Sequence, residues 1–558
     1  MKVRIQQINP IIGDLETNRL QIKLALKEAE ESDTDLLILP EMVVCGYPPM
    51  DLVERRSFRE AVIRVNQELI ERTGETAVIF GTLTHNPSTY GRQCYNSAIL
   101  AWRGEEVATV HKTLLPTYDV FDDLRYFEPN KKTECVSFRD VSLGITICED
   151  IWYNENDIQY HTYETNPARE LAEQGADAII NISASPFTKT KPLSRQEMLQ
   201  GHAEELNLPI FYANQVGANT ELIFDGDSMV IGADAQVIAR SPLFEEHCLE
   251  VEWDPKERSV KNLGPKPELV HDLESNIFDA LCLGLKDYLR KTGVSENVIL
   301  GLSGGIDSTV VACIAAEALG ADHVIGVTMP SEFSSRGSVT DSEALADNLG
   351  ITLHEIAIGE IFDRFRNALD PVFGERRFGV AEENLQSRIR SAIIMSISNK
   401  FGYMKLNTGN KSELATGYCT LYGDMAGGLS VIGDLYKTEV YRLARWMNEK
   451  HYSEEMIPKN IMEKVPSAEL RPDQKDSDFL PEYEVLDPIL ECYIEQQISR
   501  DEIVKQGYPA DTVERVIRLV DRSEYKRFQA VPVLKVSTKS FGTGRRWPLV
   551  QGWTGVQL

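Results

Sequence analysis

Two groups of residues in this 558-residue chain have the types and spacing to do chemistry. The first is the run VILGLSGGIDS at residues 298–308, which passes into the helix-forming TVVACIAAEALG. Here an apolar stretch ends in a glycine-rich turn: Gly301, Leu302, Ser303, Gly304, Gly305, Ile306, Asp307 and Ser308. Glycines lack Cβ atoms, so backbone N–H groups can close on an anion, and the following helix adds free N–H groups and a positive dipole end. It is not the common phosphate loop GxxxxGK[ST], which needs a Lys where Asp307 stands. An acid in a phosphate-holding turn implies a bridging Mg²⁺ held partly by Asp307, and a different cut in the nucleotide.

The second group is Glu41 in LLILPEMVVCGYPP, Lys112 in VATVHKTLLP and Cys148 in LGITICEDIWY, each ending or following an apolar run. Taken singly, these are commonplace: a buried small thiol, a loop carboxylate and a solvated ammonium. Together, projecting from one edge of a sheet, they form a coherent set. A thiol is a good nucleophile only as thiolate and needs a base or cation nearby. Glu41 can take the proton, and Lys112 can stabilise first the thiolate and then a tetrahedral oxyanion. Such a set attacks an amide, releases ammonia and leaves a thioester for water to clear.

The elements that must position these residues fall into two halves. The first half is a series of short β-like runs (VRIQQIN, DLLILPEM, AVIFGTL, NSAILAW, VATVHKTLL, VSLGITICED, DAIINISAS, PIFYANQVG and SMVIGADAQVIA) with helical periodicity in NRLQIKLALKEAEES and FREAVIRVNQELIERTG. Many strands and few helices predict stacked sheets covered by helices, an α/β sandwich. KNLGPKPE at 261–268 breaks the pattern and marks a boundary. We therefore expect domains at 1–262 and 271–558 joined by a linker at 263–270. The second half alternates strand and helix, as in VILGL, HVIGVTMP, LHEIAI and YMKLNTGN with helices between. This is the pattern of a doubly wound parallel sheet, whose ligands bind at the carboxyl ends of strands. DQKDSDFLPEYEVLD near 473–487 reads as a solvated acidic loop.

Composition narrows the class. A net charge of -28 argues against a general nucleic-acid or membrane-surface binder, because such proteins carry excess Lys and Arg. Nine cysteines, an odd number without a CxxC pair, fit reduced thiols rather than a disulfide framework. The start MKVRIQQINPIIGD resembles a strand rather than a signal peptide, and no apolar segment approaches about 18 residues. The expectation is a soluble cytoplasmic enzyme of two or three domains.

The motifs around these residues resemble known families. LPEM, HKTLLP and ICEDIW around Glu41, Lys112 and Cys148 resemble the nitrilase/amidase superfamily. The stretch Y-x-V-F-D-D-x-R-Y-F at 118–127, NISASPF at 181–187 and ANQVGANTELIFDGDS at 213–228 resemble the glutaminase domain of glutamine-dependent NAD⁺ synthetases. The resemblance implies a nitrilase-like αββα sandwich and glutamine contacts from Tyr118, Ser185 and Lys191. Relatives commonly carry Gly before that Lys, where this chain has Thr190. Glu149, beside the thiol, has no assigned role between tuning the thiol and tuning the substrate amine.

SGGIDS resembles the loop of the ATP pyrophosphatases, which transfer AMP to an oxygen acceptor and release pyrophosphate. By itself it leaves NAD⁺, GMP, asparagine and argininosuccinate synthetases open. The stretches 382–390, 406–444, 466–478 and the tail KRFQAVPVLKVSTKSFGTGRRWPL are similar to NAD⁺ synthetase specifically. This implies a C-terminal adenine nucleotide alpha hydrolase-like sheet. It places Thr408 near ATP, Asn384 and Lys535 near deamido-NAD⁺, Glu413 near that substrate or a second metal, and Lys437 at pyrophosphate or ATP. Ammonia-only relatives tend to carry a Lys where this chain has Leu421. The implied activity is ATP-dependent amidation of deamido-NAD⁺ with ammonia from glutamine, Mg²⁺ accompanying ATP and no tightly bound organic cofactor. The implied partners are these small molecules and further copies of the chain in a homo-oligomer. The rival from another class is a non-catalytic nucleotide sensor, against which the retained Glu–Lys–Cys set argues.

Overall fold

The computed structural model describes residues 1–152, 163–265 and 272–553, and it divides the chain into two compact units, Met1–His271 and Asp272–Leu558. Residues 266–270 of the expected linker, and residue 271 at the expected start of the second domain, lie outside the described residues.

The first unit is an αββα sandwich. A seven-stranded sheet runs in spatial order Ser259–Asn262, His247–Asp254, Lys2–Gln7, Leu36–Ile38, Ala77–His85, Cys94–Trp102 and Glu105–His111. A six-stranded sheet runs Val237–Arg240, Met229–Ile231, Ile210–Asn214, Ala178–Ser183, Val141–Ile147 and Val136–Phe138. Period-two alternation sorts the side chains into layers. Val3, Ile5, Leu36 and Ile38 from one sheet meet Leu143, Ile145, Ile147 and Ile180 from the other in the central core. The odd partners Leu37, Leu39, Val78 and Phe80 face the other way, onto Ile22, Leu26, Val62 and Leu69 of helices Leu15–Glu31 and Arg56–Arg72. On the far side Ile179, Ile210 and Tyr212 pack on Leu171, Leu199 and Ala203 of helices Pro167–Glu173 and Lys191–Leu206.

The second unit carries a parallel sheet in the order Thr352–Glu355, Val324–Thr328, Val298–Gly301, Met404–Asn407 and Leu429–Ser430. The chain starts at the middle strand, winds outward one way, then returns to wind the other way. Val298–Gly301 and Met404–Asn407 therefore flank a topological switch point, where a crevice opens at the carboxyl ends of the strands. Helix Val380–Phe401 covers one face through Ile389 and Ile394, which pack on Ile299, Ile325 and Val327.

The acidic stretch at 473–487 is not a solvated loop. It ends in helix Tyr483–Ile494, and Leu480, Tyr483 and Leu486 are buried among Leu414, Ala415 and Tyr436. Two of its acids turn inward: one oxygen of Asp476 accepts the Tyr483 hydroxyl at 2.9 Å, and Asp487 accepts the Ser412 hydroxyl at 2.6 Å, while Asp473, Asp478, Glu482 and Glu484 are exposed. A charge count overlooks apolar residues spaced between the acids. Helix Ala510–Arg522 closes the same cluster with Val513, Val516, Ile517 and Val520, a spacing of one helical face.

Candidate active sites

In the first unit, Glu41 follows strand Leu36–Ile38 and Lys112 follows Glu105–His111, both in the seven-stranded sheet. Cys148 follows Val141–Ile147 in the six-stranded sheet. The three residues thus come from two facing sheets, not from one edge as expected, because strands that read alike in sequence are dealt to different layers. Gly81 admits the Glu41 backbone: a Cβ there would lie 2.5 Å from Glu41 Cα and 2.3 Å from Met42 N.

Cys148 has φ +46°, a left-handed conformation that costs a side-chain-bearing residue free energy. Asp150 holds that turn. Its Oδ2 accepts the Ile147 N–H at 3.0 Å, while Oδ1 accepts the N–H groups of Thr113 at 3.0 Å and Leu114 at 2.7 Å. One buried carboxylate thereby ties the thiol's turn to the segment that carries Lys112.

Glu41, Lys112 and Cys148 are 0%, 1% and 4% exposed. Lys112 Nζ donates to Glu41 Oε1 at 2.9 Å and to Asp123 Oδ2 at 2.7 Å. Glu41 also accepts from Asn96 Nδ2 at 2.6 Å and the Ala184 N–H at 2.8 Å, and Asp123 accepts the Tyr47 hydroxyl at 2.9 Å. Burial alone would discharge Lys112, but Asp123 and Glu41 override it and hold its ammonium charged. Burial, followed by the charge of Glu41, pushes the Cys148 thiol well up, with Lys112 opposing. The resting thiol is therefore protonated, beside a carboxylate that can receive the proton.

Around this set stand the expected glutamine contacts. The Tyr118 hydroxyl donates to Glu149 Oε1 at 2.9 Å, as does the Tyr163 hydroxyl at 2.9 Å. Burial raises the Glu149 carboxyl despite the opposing charge of Lys112. Ser185 is buried, with its N–H on Asn214 Oδ1 at 2.9 Å. Lys191 opens its helix with Nζ 3.4 Å from the centre of the Trp152 ring, and burial, then Arg195, push it down to about 8. Glu149 opposes that fall, with Cys148 acting in the same direction.

In the second unit the turn after Val298–Gly301 leads into helix Ile306–Leu319 as expected. Gly304 has φ +70°, and a Cβ there would stand 2.3 Å from the Ser338 carbonyl oxygen, so only glycine fits. A cleft of about 320 Å³ opens beside it, lined by Gly301, Leu302, Ser303, Gly305, Ile306, Asp307 and Ser308 together with Thr408, Glu413 and Lys437.

Asn410 and Glu413 form a capping box on helix Lys411–Thr416: Asn410 Oδ1 accepts the Glu413 N–H at 2.9 Å and Glu413 Oε2 accepts the Asn410 N–H at 3.3 Å. Asn410 Nδ2 also donates to Asp307 Oδ1 at 3.0 Å. The Lys437 ammonium bonds Asp307 Oδ2. Burial would lower Lys437, but Asp307 and Glu413 hold it charged. Burial, then Asp307, push the Glu413 carboxyl well up, with Asp476 adding to the effect. Among the described residues no three His, Cys, Asp or Glu converge closely enough to hold a metal alone. An excess of acid at Asp307 and Glu413 nonetheless fits Mg²⁺, which takes one or two carboxylates and completes its shell with phosphate and water.

Asn384 and Lys535 are not part of the cleft lining. Asn384 Oδ1 accepts the Thr420 hydroxyl at 2.9 Å, and Lys535 Nζ donates to the Ser537 and Thr538 carbonyls at 2.6 and 3.0 Å. Sequence reasoning missed Asp123, Asn96, Asp150 and Asn410. The paired acids at 122–123 and the spacing Asn410-x-x-Glu413 were visible signals for two of them, whereas Asn96 lies mid-strand and carries none.

Family models match both units: carbon-nitrogen hydrolase over residues 2–261 and NAD synthase over residues 277–530. The chain is 44% identical over 557 residues to the glutamine-dependent NAD(+) synthetase of Synechocystis sp., covering 99% of each. It is 41% identical to that of Thermotoga maritima, covering 98% of each. Among solved structures it is similar to the glutamine-dependent NAD⁺ synthetase of Acinetobacter baumannii in complex with adenosine diphosphate, with TM-score 0.78 and 35% identity over 100% of this chain and 99% of that one.

Proposed function

The chain belongs to the glutamine-dependent NAD(+) synthetases, and from that premise we propose which of its residues carry each half of the reaction. The protein amidates deamido-NAD⁺ to NAD⁺ with nitrogen from glutamine, the last step of NAD biosynthesis. In the first unit Glu41 takes the Cys148 proton, and the thiolate attacks the carboxamide carbon of glutamine. Lys112 stabilises the tetrahedral oxyanion, since Glu41 and Asp123 occupy two of its three N–H donors. The C–N bond breaks, ammonia leaves with the proton returned by Glu41, and water clears the thioester to glutamate. Tyr118, Ser185 and Lys191 bind glutamine, and Glu149, oriented by Tyr118 and Tyr163, faces its amine.

In the second unit the nicotinate carboxylate of deamido-NAD⁺ attacks the α-phosphorus of ATP. The N–H groups of 303–308 and the ammonium of Lys437 hold the departing pyrophosphate. Thr408 stands at ATP. When bound, Mg²⁺ on Asp307 and Glu413 offsets the charge that gathers on the phosphates. Ammonia then attacks the adenylated carbonyl carbon and AMP leaves. Asn384 and Lys535 contact deamido-NAD⁺, a role that requires them to reach substrate from outside the cleft lining. A carboxylate is a poor acyl donor until adenylylated, so the second unit must activate it before ammonia can displace AMP.

The same reading places the enzyme in the cytoplasm as a homo-oligomer. Nine unbonded thiols support a reducing compartment, and no helix among the described residues is long and apolar enough to cross a membrane. The exposed side chains of Phe365, Val372 and Phe378 support association of copies. The single observation that carries the assignment is the buried Glu41–Lys112–Asp123 chain beside Cys148. Its test is a coupled assay of glutamine consumed, AMP released and NAD⁺ formed. One AMP per NAD⁺, with at least one glutamine consumed, supports the assignment, whereas ADP as the nucleotide product contradicts it.

A further inference from the structure

The cleft of the second unit is lined by charges of both signs. Lys437 lies among Asp307, Glu413 and Asp476, and Lys464 is paired with Glu469. Helix Val380–Phe401 and strand Met404–Asn407 contribute two further cations, Arg390 and Lys405. Among the described residues neither is bonded to a carboxylate. Arg390 Nε donates to the Met329 carbonyl at 3.1 Å, and its Nη2 reaches Ser331 Oγ at 3.5 Å.

Lys405 stands inside a parallel strand, where both faces are covered and apolar residues are the rule. It is 7% exposed and lines the cleft. An ammonium has three donors, and Lys405 Nζ places one on Ser391 Oγ at 3.1 Å. The charge acting on it is Asp424, whose carboxylate already accepts the Thr420 N–H at 2.7 Å and the Ser387 hydroxyl at 3.1 Å. Burial pushes Lys405 down to about 8 in this setting. A buried cation bonded only to a hydroxyl is an expensive arrangement for the fold itself. An anion arriving in the cleft relieves it.

We propose that Lys405 is a substrate-binding residue whose ammonium takes an anionic oxygen, phosphate or carboxylate, of the nucleotide substrate in this cleft. The inference rests on the reading of the cleft as the nucleotide site. Both ATP and deamido-NAD⁺ carry the chemistry, so each is titrated alone into the full chain by calorimetry, in the unaltered protein and in Lys405→Met. The variant weakens one of the two by about tenfold or more, the scale of a charge-assisted hydrogen bond. Loss for ATP assigns the oxygen to an ATP phosphate, and loss for deamido-NAD⁺ assigns it to the dinucleotide. Lys405→Gln keeps N–H donors without charge and weakens the same ligand.

A second readout separates binding from architecture. The ligand-free Lys405→Met protein melts at the same temperature as the unaltered chain or higher, because a buried cation has been replaced by an apolar chain of similar length. Unchanged affinity for both ligands, unaltered affinity in Lys405→Gln, or a lower melting temperature without ligand overturns the inference. Absence of nucleotide binding in the unaltered protein overturns the cleft reading together with it.

Discussion

Asp150 Oδ1 accepts the backbone N–H of Leu114 at 2.7 Å, and through that bond the turn carrying Cys148 is fixed to the segment carrying Lys112. The two reactive groups arise from different sheets, so their separation depends on a tie between layers rather than on strand pairing within one sheet. The same carboxylate holds the Ile147 N–H and so maintains the left-handed backbone at Cys148.

Replacing that carboxylate tests the tie. Asp150→Ala leaves three N–H groups, two of them buried, without their acceptor, and we expect a loss of about 3 kcal/mol or more in unfolding free energy. Glutamine hydrolysis falls about a hundredfold, because small misplacements of reacting groups are costly. Urea denaturation and steady-state glutaminase kinetics measure the two effects, and Asp150→Asn, which keeps one acceptor oxygen, is less severe in both.

The proposed contact of Lys191 with glutamine predicts a pH limit on binding. Burial and Arg195 push it down to about 8, with Glu149 and Cys148 opposing. The charged form is therefore complete below about 8 and is lost as pH rises through that value. The KM for glutamine is flat at neutral pH and rises above about pH 8, at most about tenfold per pH unit for loss of one proton. In Lys191→Met the KM is raised throughout and this rise disappears.

Gly304 tests the phosphate turn. A methyl group there would press on the Ser338 carbonyl, and the φ of +70° disfavours any side chain. Gly304→Ala raises the KM for ATP by about tenfold or more, with glutamine and with ammonium alike, since a shifted turn misaims its N–H groups.

Removal of Mg²⁺ separates the two chemistries. Chelation is expected to stop AMP formation, because the Lys437 ammonium, already bonded to Asp307, then faces the phosphates without the metal's charge. Covalent labelling of Cys148 by an electrophilic glutamine analogue continues at an unchanged rate, read by mass spectrometry.

Much of both sites was legible in the sequence because their residues sit where strands end, and strand ends announce themselves by a shift from apolar runs to Gly, Pro and charge. Glu41, Lys112, Cys148 and the 301–308 turn all follow that rule. Period-two patterning likewise supported the sandwich, and strand–helix alternation the parallel sheet. What periodicity does not encode is partnership across layers. Asn96 and Asp123 meet Glu41 and Lys112 only after the sheet has closed around them, and Cys148 joins from the opposite sheet. Asp476 was obscured by its acidic neighbours, although Leu480, Tyr483 and Leu486 around it carry a core-facing pattern. Lys405 has no signal beyond a charge in an apolar strand.

The central claim is that one chain makes ammonia at Cys148 and consumes it at the 301–308 turn. The direct test is Cys148→Ala assayed for NAD⁺ formation with glutamine and, separately, with added ammonium. Synthesis from glutamine disappears, while synthesis from ammonium continues within about twofold of the unaltered enzyme, because the change removes only a nucleophile. Equal loss of both activities in a folded Cys148→Ala protein would contradict the account.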